Sequence, residues 1–335
     1  MTPDPRWLAA TTEAALEPDL PIIDPHHHLW DRPSWRYFLD ELLDDVAGHN
    51  VRQTVFVECG AMFRADGPEA LRPVGETEFV GGIAAQSASG EYGDTRAATG
   101  IVGHADLRRG AAVSEVLEAH IEASPGRFRG IRHHICWDGH ADVPQSRIEP
   151  GPGLLQNPSF REGFACLAGY GLSFEAWLYH PQIPELTAFA RAFPDTTIIL
   201  NHLGGPLGVG SYAGRRDEVF AEWRGTIAEL AGCPNVVAKV GGIQMTLNGF
   251  GWHERDVPPN SDDLLEANRP WYEHTIEQFG PERCMFESNF PVDKESCGYT
   301  VLWNQFKKLT AGFAPDDRAA LFHDTAMRVY RLQRR

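Results

Sequence analysis

The sequence is short of several things at once. Basic residues are scarce: 30 Lys and Arg stand against 46 Asp and Glu, for a formal charge of −16. Such a surface repels phosphate backbones and anionic lipid, so nucleic-acid and membrane partners are set aside. No apolar run approaches the ~20 residues needed to span a bilayer. The opening stretch, MTPDPRWLAATTEAALEPDL, is acidic where a secretory leader would be basic and then apolar. The six cysteines (Cys59, Cys136, Cys166, Cys233, Cys284 and Cys297) are scattered, with no CxxC pair. They read as reduced thiols of a cytoplasmic protein, mostly in core positions. Nothing specific marks Cys59 as a nucleophile. There is no short repeat and no low-complexity tract. No glycine-rich nucleotide loop follows the first strand, which counts against a doubly wound sheet.

What is present is a globular composition, 42% hydrophobic and 23% charged, over 335 residues. Short apolar runs alternate with loops rich in Gly, Pro, His or Asp and then with helical stretches, the pattern of parallel strands and crossover helices. Strands are expected at 20–24, 54–57, 100–105, 128–133, 172–179, 197–201, 236–240 and 284–288. Helices are expected at 41–49, 112–123, 183–193, 216–231, 270–279 and 315–330. Eight such strands predict an α/β fold, a (β/α)₈ TIM barrel, as a single domain over 1–335. Two segments, 61–99 and 241–269, exceed what a barrel needs and are expected to be lids or specificity loops at its catalytic face.

The sharpest local signal is PIIDPHHHLWD, positions 21–31. Side chains alternate along a strand, so His26 and His28 share a face and His27 takes the other. Two imidazoles at the end of a strand form half of a metal site, since neutral imidazole is a favoured ligand of zinc and related ions. The plain alternative is a solvated histidine cluster. Further histidines end other strands: His180, His202, and His133 and His134 beside Arg132. In a barrel all of these would converge on one mouth.

The His-x-His at 26–28, GIRHH at 130–134, HLGGP at 202–206 and SNFP at 288–291 together resemble the amidohydrolase 2 branch of the amidohydrolase superfamily. That branch includes sugar-acid lactonases, 2-pyrone-4,6-dicarboxylate hydrolase and sulfomuconolactone hydrolase. The resemblance runs from about Ile22 to Tyr330. It implies that His26, His28, His180 and His202 hold a divalent metal, zinc being the first expectation, and that Arg132 grips a substrate carboxylate or carbonyl. Relatives end strand eight in Gly-Ser-Asp-Trp-Pro, whose aspartate is ligand and general base. Here the run is Glu287-Ser288-Asn289-Phe290-Pro291. Asn289 cannot accept a proton near neutral pH. Glu287, two residues earlier on the same face, is expected to have taken over the carboxylate's work. A structural role for Glu287, paired with a buried base, is the alternative.

The catalytic candidates are therefore Glu287, His202 and the substituted position Asn289. Arg132, His134, His253 and Asp293 are candidates for substrate contact. Glu58, Lys239 and Trp252 are secondary candidates. The leading expectation is metal-assisted hydrolysis of a small polar carbonyl compound, first of all a lactone. Rival readings are a non-oxidative decarboxylase of an aromatic or unsaturated acid, a metal-independent hydrolase, and a catalytically silent binding protein. The partner expected is a small-molecule substrate; homo-oligomerisation stays open.

Overall fold

The computed structural model describes residues 3–146, 148 and 150–333. Eight parallel strands follow one another around a single sheet in chain order. They are β1 (Pro21–His27), β2 (Asn50–Val57), β3 (Arg96–Gly103), β4 (Phe128–Arg132), β5 (Ser173–Ala176), β6 (Ile198–Leu200), β7 (Val236–Gly241) and β8 (Cys284–Glu287). The ring closes where β1 meets the segment after β8: His28 N donates to Phe290 O at 2.7 Å and Asn289 N to His26 O at 2.9 Å. A helix follows every strand: Leu39–Val46, Val74–Ala88, Ser114–Ala123, Pro158–Gly169, Ile183–Ala192, Arg216–Ala231, Ser261–Phe279 and Tyr299–Leu309. This is the (β/α)₈ barrel. Its strands are continuous apolar runs because helices cover their outer faces and side chains fill the interior. No helix among the described residues is long and apolar enough to cross a membrane.

Two departures from expectation have local causes. The segment 61–99 is not a lid over its whole length, since helix Val74–Ala88 occupies its middle. Its Gly75 is there for close packing: a Cβ on it would come within 2.6 Å of Met62 O. The segment 241–269 is shortened in the same way. Its helix begins at Ser261, capped by Asn260, whose side chain accepts from Asp262 N and Asp263 N, and it runs through Pro270 instead of starting there.

The interior is layered. Ile23, Val55, Val102, Ile199, Val237 and Met285 form an apolar floor, and Ala326, Val329, Tyr330 and Leu332 from the C-terminal segment pack up against it. That segment, expected as one helix over 315–330, is helical from Pro315 to Val329, with a wider π turn at Ala320–Asp324 in its middle. Above the floor, toward the C-terminal ends of the strands, the interior turns polar.

Candidate active site

The polar layer depends on an irregularity in β1. Register slips between Asp24 and His27, inserting one extra residue relative to β2. Such a bulge switches which residues face inward. Ile23 faces the interior floor, and beyond the bulge His26 does too, in contact with residues of β4, β7 and β8. His27 is turned away and pairs with Thr54 Oγ1 at 2.8 Å.

His26, His202 and Glu287 are all buried, and one potential ligand atom from each lies within 4.8 Å of the others. Glu287 Oε1 accepts from His202 Nδ1 at 2.8 Å and from His202 N at 3.2 Å. Glu287 Oε2 stands 2.7 Å from His26 Nδ1 yet receives no directed hydrogen bond. Burial drives His26 well below the ordinary histidine range, helped by the charge of Lys239. Burial also lowers His202, although Glu287 pulls the other way. Both rings are therefore neutral near pH 7. His202 has φ 51°, a left-handed backbone that non-glycine residues rarely adopt. It fits because Gly242, at φ 66°, leaves room: a Cβ there would overlap the His202 ring.

Two ion pairs flank this cluster. Lys239 Nζ lies 2.9 Å from Glu175 Oε2 and 3.2 Å from His26 Nδ1. Tyr330 OH and Asn201 Nδ2 donate to the two Glu175 oxygens. On the other side, Arg132 Nε donates to Glu58 Oε1 at 2.9 Å, and its Nη2 donates to the Glu58 carbonyl. Arg132 Nη1 remains, 3.4 Å from His26 Nε2. Burial alone would push Glu58 up, but Arg132 and His134 together hold it well below the carboxylate range. His134 Nε2 contacts Glu58 Oε1 at 2.7 Å, and its side chain keeps 14% of its surface exposed. Trp177 packs edge-on against His202, with ring centroids 4.7 Å apart.

The other expected residues are distributed differently. His28 adjoins the cluster, its ring 5.0 Å from that of His26, but its Nδ1 donates to Val57 O at 2.8 Å. His180 stands outside the ligand cluster. Its Nδ1 accepts from Leu207 N at 3.3 Å, its ring lies edge-on to Tyr212, and burial brings its pKa down to about 4. Strand β5 ends at Ala176, so the chain has already turned before residue 180. His253 is exposed beside Glu254, lining an outer groove with Asp142, Gly208 and Leu247. Asp293 does not open onto the mouth. It is fully buried, accepting from Asn289 Nδ2 at 2.8 Å and Gln244 N at 3.1 Å, and burial pushes its carboxyl well up. Glu175 and Tyr330 were not anticipated. A glutamate inside the apolar run LSFEAWLYH was the available signal for the first.

The model of the amidohydrolase family matches residues 23–332. The chain belongs to that family. As an amidohydrolase it is a hydrolytic enzyme. A protein of Sinorhizobium fredii (strain NBRC 101917 / NGR234), named y4mH and described as uncharacterized, is 34% identical over 94% of this chain and 99% of its own. The L-fucono-1,5-lactonase of Burkholderia multivorans is 26% identical, covering 92% of this chain and 96% of its own. An amidohydrolase from Burkholderia multivorans, solved with bound zinc, matches this fold with a TM-score of 0.72 at 23% identity, over 93% of this chain and 99% of that one.

The donor set suits a divalent ion. Two neutral imidazoles and a carboxylate are the His₂Glu combination of catalytic zinc sites, which leave a position for water or substrate. Charge bookkeeping within the layer agrees. Lys239 answers Glu175 and Arg132 answers Glu58, whereas the ion-pair partners of Glu287 among the described residues are the two neutral histidines. A buried carboxylate without a cation is costly, and its oxygen Oε2 lacks a donor.

Proposed function

We propose that this amidohydrolase opens a small cyclic ester, a lactone of the sugar-acid type, with a divalent cation, zinc first, held by His26, His202 and Glu287. The observation that carries the reading is Glu287: fully buried, in contact with two neutral imidazoles, and left with one oxygen unbonded. The 26% identity to L-fucono-1,5-lactonase over nearly the whole chain points to the substrate class.

A bound divalent ion supplies Lewis acidity to the ester carbonyl or acidifies a water molecule. The chain's own groups do the rest. Arg132 is locked by Glu58, so its Nη1 edge is a fixed donor for a substrate oxygen. His28 spends its Nδ1 proton on Val57 O, which leaves Nε2 as an acceptor beside the cluster. His134, held by Glu58 and partly exposed, links the buried layer to solvent for proton release. Trp177 walls the mouth over His202 and excludes water.

The test is a panel of aldono-1,5- and aldono-1,4-lactones followed by alkali uptake, with metal analysis of the purified protein. Lactone opening at about one zinc per chain, lost in Glu287→Gln without loss of helical signal, is expected. Carbon dioxide release from aromatic acids with no lactone opened would make the protein a decarboxylase and overturn the reading.

A further inference from the structure

At the opposite end of the barrel from His26 and Glu287, a cavity of about 1150 Å³ opens at the N-terminal ends of the strands. Arg52 on β2, Arg96 at the start of β3, and Arg328 and Arg331 on the C-terminal segment all line it. We propose that this cavity is a second binding site, for a small molecule that carries two or more anionic groups.

The first argument is the state of these arginines. Acids outnumber bases 46 to 30 in this chain, so counter-charges are plentiful, and several arginines elsewhere are paired with a carboxylate. Arg36, Arg64, Arg108, Arg215, Arg269 and Arg318 are each in an ion pair. Among the described residues, none of the four cavity arginines is. Arg96 Nη1 donates to Gly93 O at 2.6 Å, Arg328 Nη2 to Glu282 O, and Arg331 Nη2 to Arg129 O at a long 3.5 Å. The Arg52 side chain has no hydrogen bond or ion pair among the described residues. Asp94, Glu282 and Asp324 share the cavity without neutralising them. Asp324 instead takes His323 Nδ1 at 2.7 Å.

The second argument is the backbone that presents Arg331. The helix Thr325–Val329 ends in a paired turn, with Arg331 N donating to Arg328 O at 3.2 Å and Leu332 N to Met327 O at 2.9 Å. The residue at the turn has φ 49°, a position that glycine usually fills because any Cβ costs energy there. An arginine held in that conformation sets its side chain into the cavity wall beside Arg328.

The chemistry follows from these facts. Guanidinium groups are planar, weakly hydrated and suited to bidentate capture of phosphate or carboxylate oxygens. Four of them line one cavity, none in an ion pair among the described residues. A ligand with adjacent anionic groups would supply the counter-charge and bridge β2, β3 and the C-terminal segment. A single monovalent anion would meet too few of the four.

Isothermal titration of the full chain with inorganic pyrophosphate tests the proposal. Saturable binding at one site per chain is expected, weakened at least tenfold in Arg52→Gln/Arg331→Gln and unchanged in Glu287→Gln. The double variant touches nothing in the polar layer, so its lactone-opening rate without pyrophosphate stays at the parent value. Absence of saturable heat, or equal affinity in the double variant, overturns the proposal. Binding lost only in Glu287→Gln overturns it too, because pyrophosphate would then be bound at the metal cluster.

Discussion

Asn289 donates its side-chain N–H to Asp293 Oδ1 at 2.8 Å, deep inside the protein. Burial already raises the Asp293 carboxyl well above its usual range. An aspartate at 289 would remove the donor and set two carboxyl groups against each other. Asn289→Asp should therefore cost about 1–3 kcal/mol, the penalty of a buried polar group left without its partner. The loss should grow with pH, because the pair can share one proton only while one is held. Urea unfolding at pH 6 and pH 8 checks this; a variant as stable as its parent at both would refute it.

The Lys239–Glu175 pair is buried on both sides. Lys239→Met leaves Glu175 with Tyr330 and Asn201 as its donors among the described residues. Breaking one half of such a pair costs about 3–5 kcal/mol, whereas replacing both halves by neutral groups costs much less. Lys239→Met should lower the denaturation midpoint sharply, and Lys239→Met/Glu175→Gln should recover most of the loss. Additive effects of the two substitutions would show that the pair is not a unit.

Gly242→Ala should inactivate the enzyme while leaving its secondary structure in place. The added methyl displaces the His202 ring from Glu287. Misplacing a reacting group by about 1 Å costs on the order of 100-fold in rate. Steady-state kinetics and circular dichroism of the same preparation decide the matter. Parent-level kcat/KM would mean that His202 has no part in the reaction.

Glu76 predicts a pH dependence of stability. Its pKa is raised from 4.5 to about 7, first by burial and then by the charge of Glu58. Between those values the folded protein keeps a proton that the unfolded chain has released. The contribution is complete below pH 4.5 and is lost as pH rises through 7, a swing on the order of 3 kcal/mol. Glu76→Gln removes it. Relative to the parent, the variant should gain stability from pH 5 to pH 8, measured as the difference in urea midpoints. A constant difference would sink the assignment.

All eight strands were legible because barrel strands are apolar on both faces and end in loop residues. The helix Val74–Ala88 was hidden because its Gly75 serves a tight approach to Met62 O, and glycine in sequence looks the same whether it packs or turns. Within the site, His26, His202 and Glu287 were readable from strand ends and from parity with Asn289. Lys239 stood out as a charge among Val237, Ala238 and Val240. Its partner Glu175 showed only as a charge inside LSFEAWLYH, and the distant Tyr330 was not readable, since nothing local links β5 to the C-terminal segment. His180 is outside the ligand cluster because it stands four residues past Ala176, where its ring meets Leu207 N and Tyr212 instead.

The C-terminal segment is floor and brace together: Tyr330 plugs the barrel from below and reaches Glu175, the partner of Lys239. The order of synthesis then matters. Every strand leaves the ribosome before the residue that steadies the polar interior does. A nascent or clipped product lacking Tyr330 would carry the whole ring and still be a poor catalyst, so full working order waits on a residue that follows every strand in the chain.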